Sequence, residues 1–229
     1  MFSLHLARQT KWIVVVATAL AVAAMLRYPG GTALDTTTIG YSLSHNFVSD
    51  LGMTIAYNHE PNRLGAALFV ASLLLLVVGL GTVVGVIARF LAVDADSRRW
   101  AVLAFIALLA VCVAFAGVAV TPENQLMSLH VSFTKWAWRI APAVALFLGV
   151  ASRRNSRLRR RAAVAWFAAA VLLGAYATLL SWGPSVATAD GLLLQVIAQK
   201  AATVVVMVAL LTAVGEVELA KREEGTAHP

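Results

Sequence analysis

The chain has 229 residues, of which 60% are hydrophobic and 13% charged, with a formal net charge of +7. Soluble domains carry about 25% charged residues and about 45–50% apolar ones, so this composition excludes a soluble domain and defines an integral membrane protein. The basic excess lies in short clusters beside apolar runs, which is the footprint of topology and anionic headgroups rather than of nucleic-acid binding. The single cysteine, Cys112, rules out an intrachain disulfide and a Cys-based metal site.

A spanning helix needs about 20 mainly apolar residues. Six segments of an all-α, polytopic transmembrane chain meet or approach that length, near 11–26, 64–88, 100–120, 131–151, 162–182 and 192–215, and together they predict one domain over 1–229. The first is short, and its apolar stretch from Trp12 to Leu26 is long for a signal-peptide core, so an uncleaved helix is expected. The fourth is interrupted by Lys135 and Arg139, and the other four are plain. Lys and Arg cluster at 8–11, 89–99, 153–161 and 221–222, whereas the opposite loops hold only Arg27 and Arg63. The positive-inside rule therefore predicts cytoplasmic N and C termini in a cell (inner) membrane.

The first outer loop, from Tyr28 to Asn62, is too long for a simple connection. Asp35 followed by three threonines offers N-cap chemistry. Ser42, His45, Asn46 and Ser49 recur at helical spacing, and Gly52 marks a stop, which predicts a short amphipathic helix lying on the membrane or dipping into the outer mouth. Gly81 and Gly85 in the second helix have the small-xxx-small spacing that allows close intramolecular packing.

Intramembrane cations are rare and usually face a bundle interior or a wet cavity. Lys135 and Arg139 share a face of the fourth helix, with Arg139 on the order of 12 Å below its outer end. Lys200 lies at similar depth in the sixth, after Gln195 and Gln199. With His45, Glu60, Asp50, Ser49 and His130 these residues define a candidate outer-leaflet constellation, suited to an anionic ligand such as a lipid phosphate. The bland alternative is a neutralised polar core in which Asp50, Glu60 or Glu123 pairs with a cation and holds the loops down. Snorkelling of Lys135 is a third reading. A weak alternative uses His45, His59 and His130 as zinc ligands, although no HxxxH or HExxH spacing supports it; no other cofactor is indicated. Another alternative is the Ser–His–Asp set of a membrane-embedded lipid hydrolase or transferase, with Ser49 or Ser44 as nucleophile, His130 as base and Asp50 as the acid that orients it, although no GxSxG elbow occurs.

Phe47-Val-Ser49-Asp50-Leu-Gly52, then Glu60-Pro61 before an apolar helix, Thr121-Pro122-Glu123 with His130, and Gln199-Lys200 resemble the signature of one membrane superfamily. It includes the damage-regulated autophagy modulators, the GPI-anchor remodelling membrane proteins and prokaryotic six-helix proteins of unknown function. The resemblance implies six helices with both termini inside and an association with membrane lipids. It points to Ser49, Asp50, Gly52, Glu60, Pro61, His130, Gln199 and Lys200 as the residues of interest. Lys200 stands where the family pattern leads one to expect Arg. The combined expectation is a protein that binds or handles phospholipid headgroups on its extracytoplasmic side; the alternatives are a non-enzymatic, loop-locked structural protein and a lipid enzyme.

Overall fold

The structure is a computed structural model that describes the backbone of residues 2–227 and side chains of 12–223. It is all-α, and no strand occurs among the described residues. Six helices follow in order: α1 (Phe2–Arg27), α2 (Arg63–Leu91), α3 (Ala95–Val120), α4 (Glu123–Arg154), α5 (Arg160–Trp182) and α6 (Ala189–Ala227). Four of them, α2, α3, α5 and α6, are long and apolar enough to cross a membrane, and α1 carries a shorter apolar stretch, Trp12–Arg27.

Several helices extend past their apolar runs because charged turns can continue a helix in water. Asp94 caps α3 by accepting the Asp96 N–H at 3.0 Å, which starts the helix ahead of the charged turn at Asp96, Arg98 and Arg99. The polar stretch after Gly215 continues α6 as a helix to Ala227. α4 starts at Glu123, breaks helical geometry at Leu126 and carries Pro142 in its interior. A proline there removes one backbone hydrogen bond of the helix ladder.

Each of α3, α4, α5 and α6 packs on its predecessor, and a short seam between α2 and α6 closes α2–α6 into a ring. α1 lies outside it, against α2. The Ser72 hydroxyl of α2 donates to the Ala17 carbonyl of α1 at 2.7 Å, and Gly79 lets Ile13 approach closely. Gly81 and Gly85 face Cys112 and Phe105 of α3, so the small-residue spacing serves packing within the chain.

The first loop does not form the expected amphipathic α-helix. Residues 42–46 turn without becoming helical, and a 3-10 turn spans Val48–Gly52. The apolar members of the segment lack enough neighbours at helical spacing to build a continuous face, and side-chain hydrogen bonds from Ser42 and Asn46 compete for the backbone. Ser42 N–H donates to Asn46 Oδ1 at 2.9 Å, and His45 N–H to Ser42 Oγ at 3.2 Å. Asp35 does not cap a helix either. It accepts from the Thr37 N–H and hydroxyl at 2.8 and 2.7 Å, closing a local turn. The expected stop at Gly52 coincides with the end of the 3-10 turn, but for a steric reason: a Cβ there would sit 2.8 Å from the Phe69 ring.

Candidate functional site

The 46–50 segment plugs the end of the ring at which α2, α4 and α6 begin. Asn46 is fully buried and acts as its hub. Its amide nitrogen donates to the Gly31 carbonyl and to Asp50 Oδ2, both at 3.0 Å. Its backbone carbonyl accepts from Lys200 Nζ at 2.7 Å and from the Tyr41 hydroxyl at 3.0 Å. The Lys200 ammonium also lies 5.4 Å from the centre of the Tyr41 ring, within cation–π range. One residue before Lys200, the Gln199 carboxamide oxygen accepts the Val48 N–H at 2.9 Å. A Gln-Lys pair on α6 thus grips two backbone positions of the first loop.

Asp50 is buried at the centre of the plug. Its Oδ2 accepts from Asn46 and from the Phe47 N–H at 3.0 Å, while Oδ1 has no hydrogen-bond partner. Burial, and next the charge of Glu123, push this carboxyl well above the usual carboxylate range; the bonds from Asn46 and Phe47 and the Lys200 cation oppose the shift. An unpartnered oxygen suits the protonated acid better than the carboxylate, because desolvating an anion with a bare oxygen is costly. The hydroxyls of Tyr28, Tyr41 and Tyr57 are pushed up by burial and then by Asp50.

A second polar group adjoins the plug at the start of α4. The His130 ring accepts no proton from Thr121, whose carbonyl lies 2.6 Å from Nδ1 and can only accept, so Nδ1 carries the proton. Nε2 faces Glu123 at 3.8 Å, an ion-pair distance but too long for a hydrogen bond. Tyr57 donates to Glu123 at 3.4 Å, and burial raises the Glu123 carboxyl against the effects of His130 and Tyr57. Thr54 and Asn124 exchange two hydrogen bonds at 3.0 Å, tying the loop to α4 a second time.

The sequence constellation is therefore divided. Asp50, Gln199 and Lys200 meet at the plug. Arg139 is exposed and donates from Nε and Nη2 to the Ser181 hydroxyl at 3.3 and 3.1 Å, one residue before the end of α5. Gln195 donates to the Pro184 carbonyl at 2.7 Å and holds the α5–α6 loop. Lys135 is half-buried, and no acid pairs with Lys135 or Arg139 among the described residues. Glu60 is exposed, and His45 bonds Ser44 at 2.8 Å. His59 occupies a turn tip with a φ of +68°. No three His, Cys, Asp or Glu side chains converge on a metal-binding point among the described residues, so the three histidines have no common centre. Ser49, Asp50 and His130 share no hydrogen bond among those residues; Asp50 and His130 each engage other partners.

Below the plug lies a cavity of about 230 Å³, roofed by Val48 and Ser49 and walled by residues of every helix. Its walls are mostly apolar; Ser49, Thr134, Gln199 and Thr203 lie towards the plug, and Cys112 and Trp166 deeper down. The Thr134 hydroxyl is buried without a partner, and so is Trp166 Nε1 deeper down.

Asn46, Tyr41 and Thr134 carry much of this geometry and were missing from the sequence-derived site. Asn46 fell within the recognised helical-spacing set, but its role as a hub depends on Gly31 and Lys200, which pattern does not connect to it. Together the four long apolar helices and the plugged cavity define a helical membrane protein with an apolar pocket between its helices. Comparison of the chain with family models, with curated proteins and with solved structures finds no match.

Proposed function

We propose that the protein spans the cell (inner) membrane six times with both termini in the cytoplasm, and that its extracytoplasmic face binds anionic phospholipid headgroups. The loops between α2 and α3 and between α4 and α5 carry the arginine clusters and pack together, with Arg157 donating to the Phe90 carbonyl and Ser156 bonding Asp94. The plug lies at the opposite ends of these helices, so the positive-inside rule directs it outward.

The observation that carries the headgroup reading is the Arg139 guanidinium. It is exposed, fixed by Ser181 at the outer end of α5, and paired with no acid among the described residues. Trp136, three residues before Arg139, and Trp182, which follows its partner Ser181, are 59% and 81% exposed and match the aromatic belt of a membrane interface. A guanidinium held there with free donors is suited to bidentate phosphate contact, and Lys135, one turn earlier, supplies a second charge. Native mass spectrometry of gently extracted protein tests this: wild type retains an anionic phospholipid and Arg139→Ala loses it. Equal retention by both overturns the reading.

A second reading is favoured by the hold of Gln199 and Lys200 on the first loop: a non-enzymatic structural or regulatory protein whose outer polar cluster locks that loop. It is compatible with the first, since Arg139 takes no part in the lock. The superfamily resemblance belongs to the proposal too, because the residues it singles out include Asp50, Gln199 and Lys200 of the lock.

A further inference from the structure

We infer that the internal cavity is a binding site for one lipid hydrocarbon chain, with the polar end of that chain held under the plug by Thr134, Ser49 and Gln199. This goes beyond the headgroup reading and stands without it, because Arg139 is not among the cavity residues.

Size is the first support. On α4 the lining runs from Thr134 to Ala145 and on α6 from Gln199 to Leu210, each about 16 Å at 1.5 Å per residue. One leaflet of hydrocarbon is about 15 Å deep, half of a core of about 30 Å. The cavity thus has the length of a single chain, and its volume of about 230 Å³ exceeds the ~150 Å³ apolar cavities that stay dry and take up benzene.

Chemistry is the second support. The polar lining lies towards one end, and there the Thr134 hydroxyl is buried with no partner. Buried hydroxyls are normally hydrogen-bonded, so an orphan beside Ser49 and Gln199 marks a place for a ligand's polar atom. Most of the remaining walls, such as Val77, Val111, Val144 and Leu210, offer dispersion contacts alone, and deeper down Cys112 and the unpartnered Trp166 Nε1 are the exceptions. Access is the third support. Val14 of α1 lines the same cavity as Val77 of α2 and Met207 and Leu210 of α6, and α2 and α6 meet only along a short seam, so we assign the chain's entry to that seam.

A free fatty acid and one chain of a phospholipid share this chemistry, and labelling distinguishes them. Membranes containing the full chain are irradiated with a long-chain fatty acid carrying a diazirine on its tail, and separately with a phosphatidylglycerol carrying the same group on one acyl chain. The expected result is label on Val111, Trp138 or Val144 from one of the two probes, displaced saturably by its unlabelled counterpart. Ala145→Phe, which projects a ring into the void, cuts this interior labelling by about tenfold or more. The external variant Leu146→Phe leaves it unchanged. Label confined in wild type to exposed positions such as Val113, Trp136 and Leu146 overturns the inference. If Ala145→Phe fails to fold, competition in wild type decides alone: interior label that cannot be displaced also overturns it. Arg139→Ala keeps interior labelling, so failure of the headgroup reading and failure of this one give different results.

Discussion

The Gln199 carboxamide oxygen accepts the Val48 backbone N–H at 2.9 Å, across 151 residues of chain. The bond joins the roof of the cavity to its α6 wall, since both residues line it. Replacing Gln199 by Leu leaves that N–H without its partner, at a cost of about 1–3 kcal/mol. The expected outcome is a lower melting temperature in detergent and faster proteolysis within residues 42–62, with Gln199→Glu retaining more of the wild-type behaviour.

Lys200 anchors the same segment through charge. Lys200→Met removes the bond to the Asn46 carbonyl and the contact with the Tyr41 ring. A bond to a charged donor contributes about 1.5–3 kcal/mol, so thermal unfolding should reveal a loss of that order. A double-mutant cycle with Gln199→Leu should be non-additive, because both residues hold one turn. Additive losses would show that the two anchors act separately.

Asp50 sets a pH dependence whose sign follows from its raised pKa. The folded state holds this proton more tightly than the unfolded chain, whose ordinary value is 3.8. Stability is therefore greatest below that value and falls as pH rises through the raised folded one. Glu123, raised in the same direction, adds to the slope. Melting temperatures measured from acid to neutral pH should decline less steeply in Asp50→Asn and in Glu123→Gln than in wild type. Asp50→Asn should fold at neutral pH, since its amide oxygen can accept from Asn46 and Phe47. Asp50→Leu loses both acceptor contacts and should lose about 2 kcal/mol or more.

Two glycines of the first loop separate backbone strain from steric fit. Gly31 has a φ of +83°, and a Cβ there would lie 2.4 Å from the Asn58 nitrogen; Gly40 has a φ of +71° with open space around it. Gly40→Ala should cost about 1 kcal/mol for the left-handed conformation alone. Gly31→Ala should cost distinctly more and disrupt the Gly31–Asn46 bond, seen as a lower melting temperature and reduced expression.

The long helices were legible from hydropathy because lipid and core both demand apolar side chains. The four plain segments were the four that the structure finds both long and apolar enough to span. The starts of α3 and α4 were not legible, since polar turns beyond the apolar run lack that signal. In the site, the spacing within Gln199-Lys200 and Ser49-Asp50 singled out both sides of the plug. Their meeting depends on the Asn46 and Val48 backbone, which side-chain pattern does not report. Arg139 and Lys200 were grouped because their depths matched, but depth along two helices says nothing about azimuth. Arg139 points to α5, and Lys200 to the loop.

The lock also has a consequence for synthesis. The 46–50 segment emerges from the ribosome long before Lys200, its partner 154 residues on. α6, which holds both anchors, is made after α1 to α5. Such long-range closure is slow, because the entropy of ordering the intervening chain is lost before any contact compensates. Until α6 arrives, the Asn46 carbonyl, the Val48 N–H and the apolar compartment behind them have no final wall. The nascent chain thus passes through a state in which α1 to α5 are made and the compartment is open, exposed to chaperones, proteases and lipid alike, and α6 acts as the latch that ends that interval.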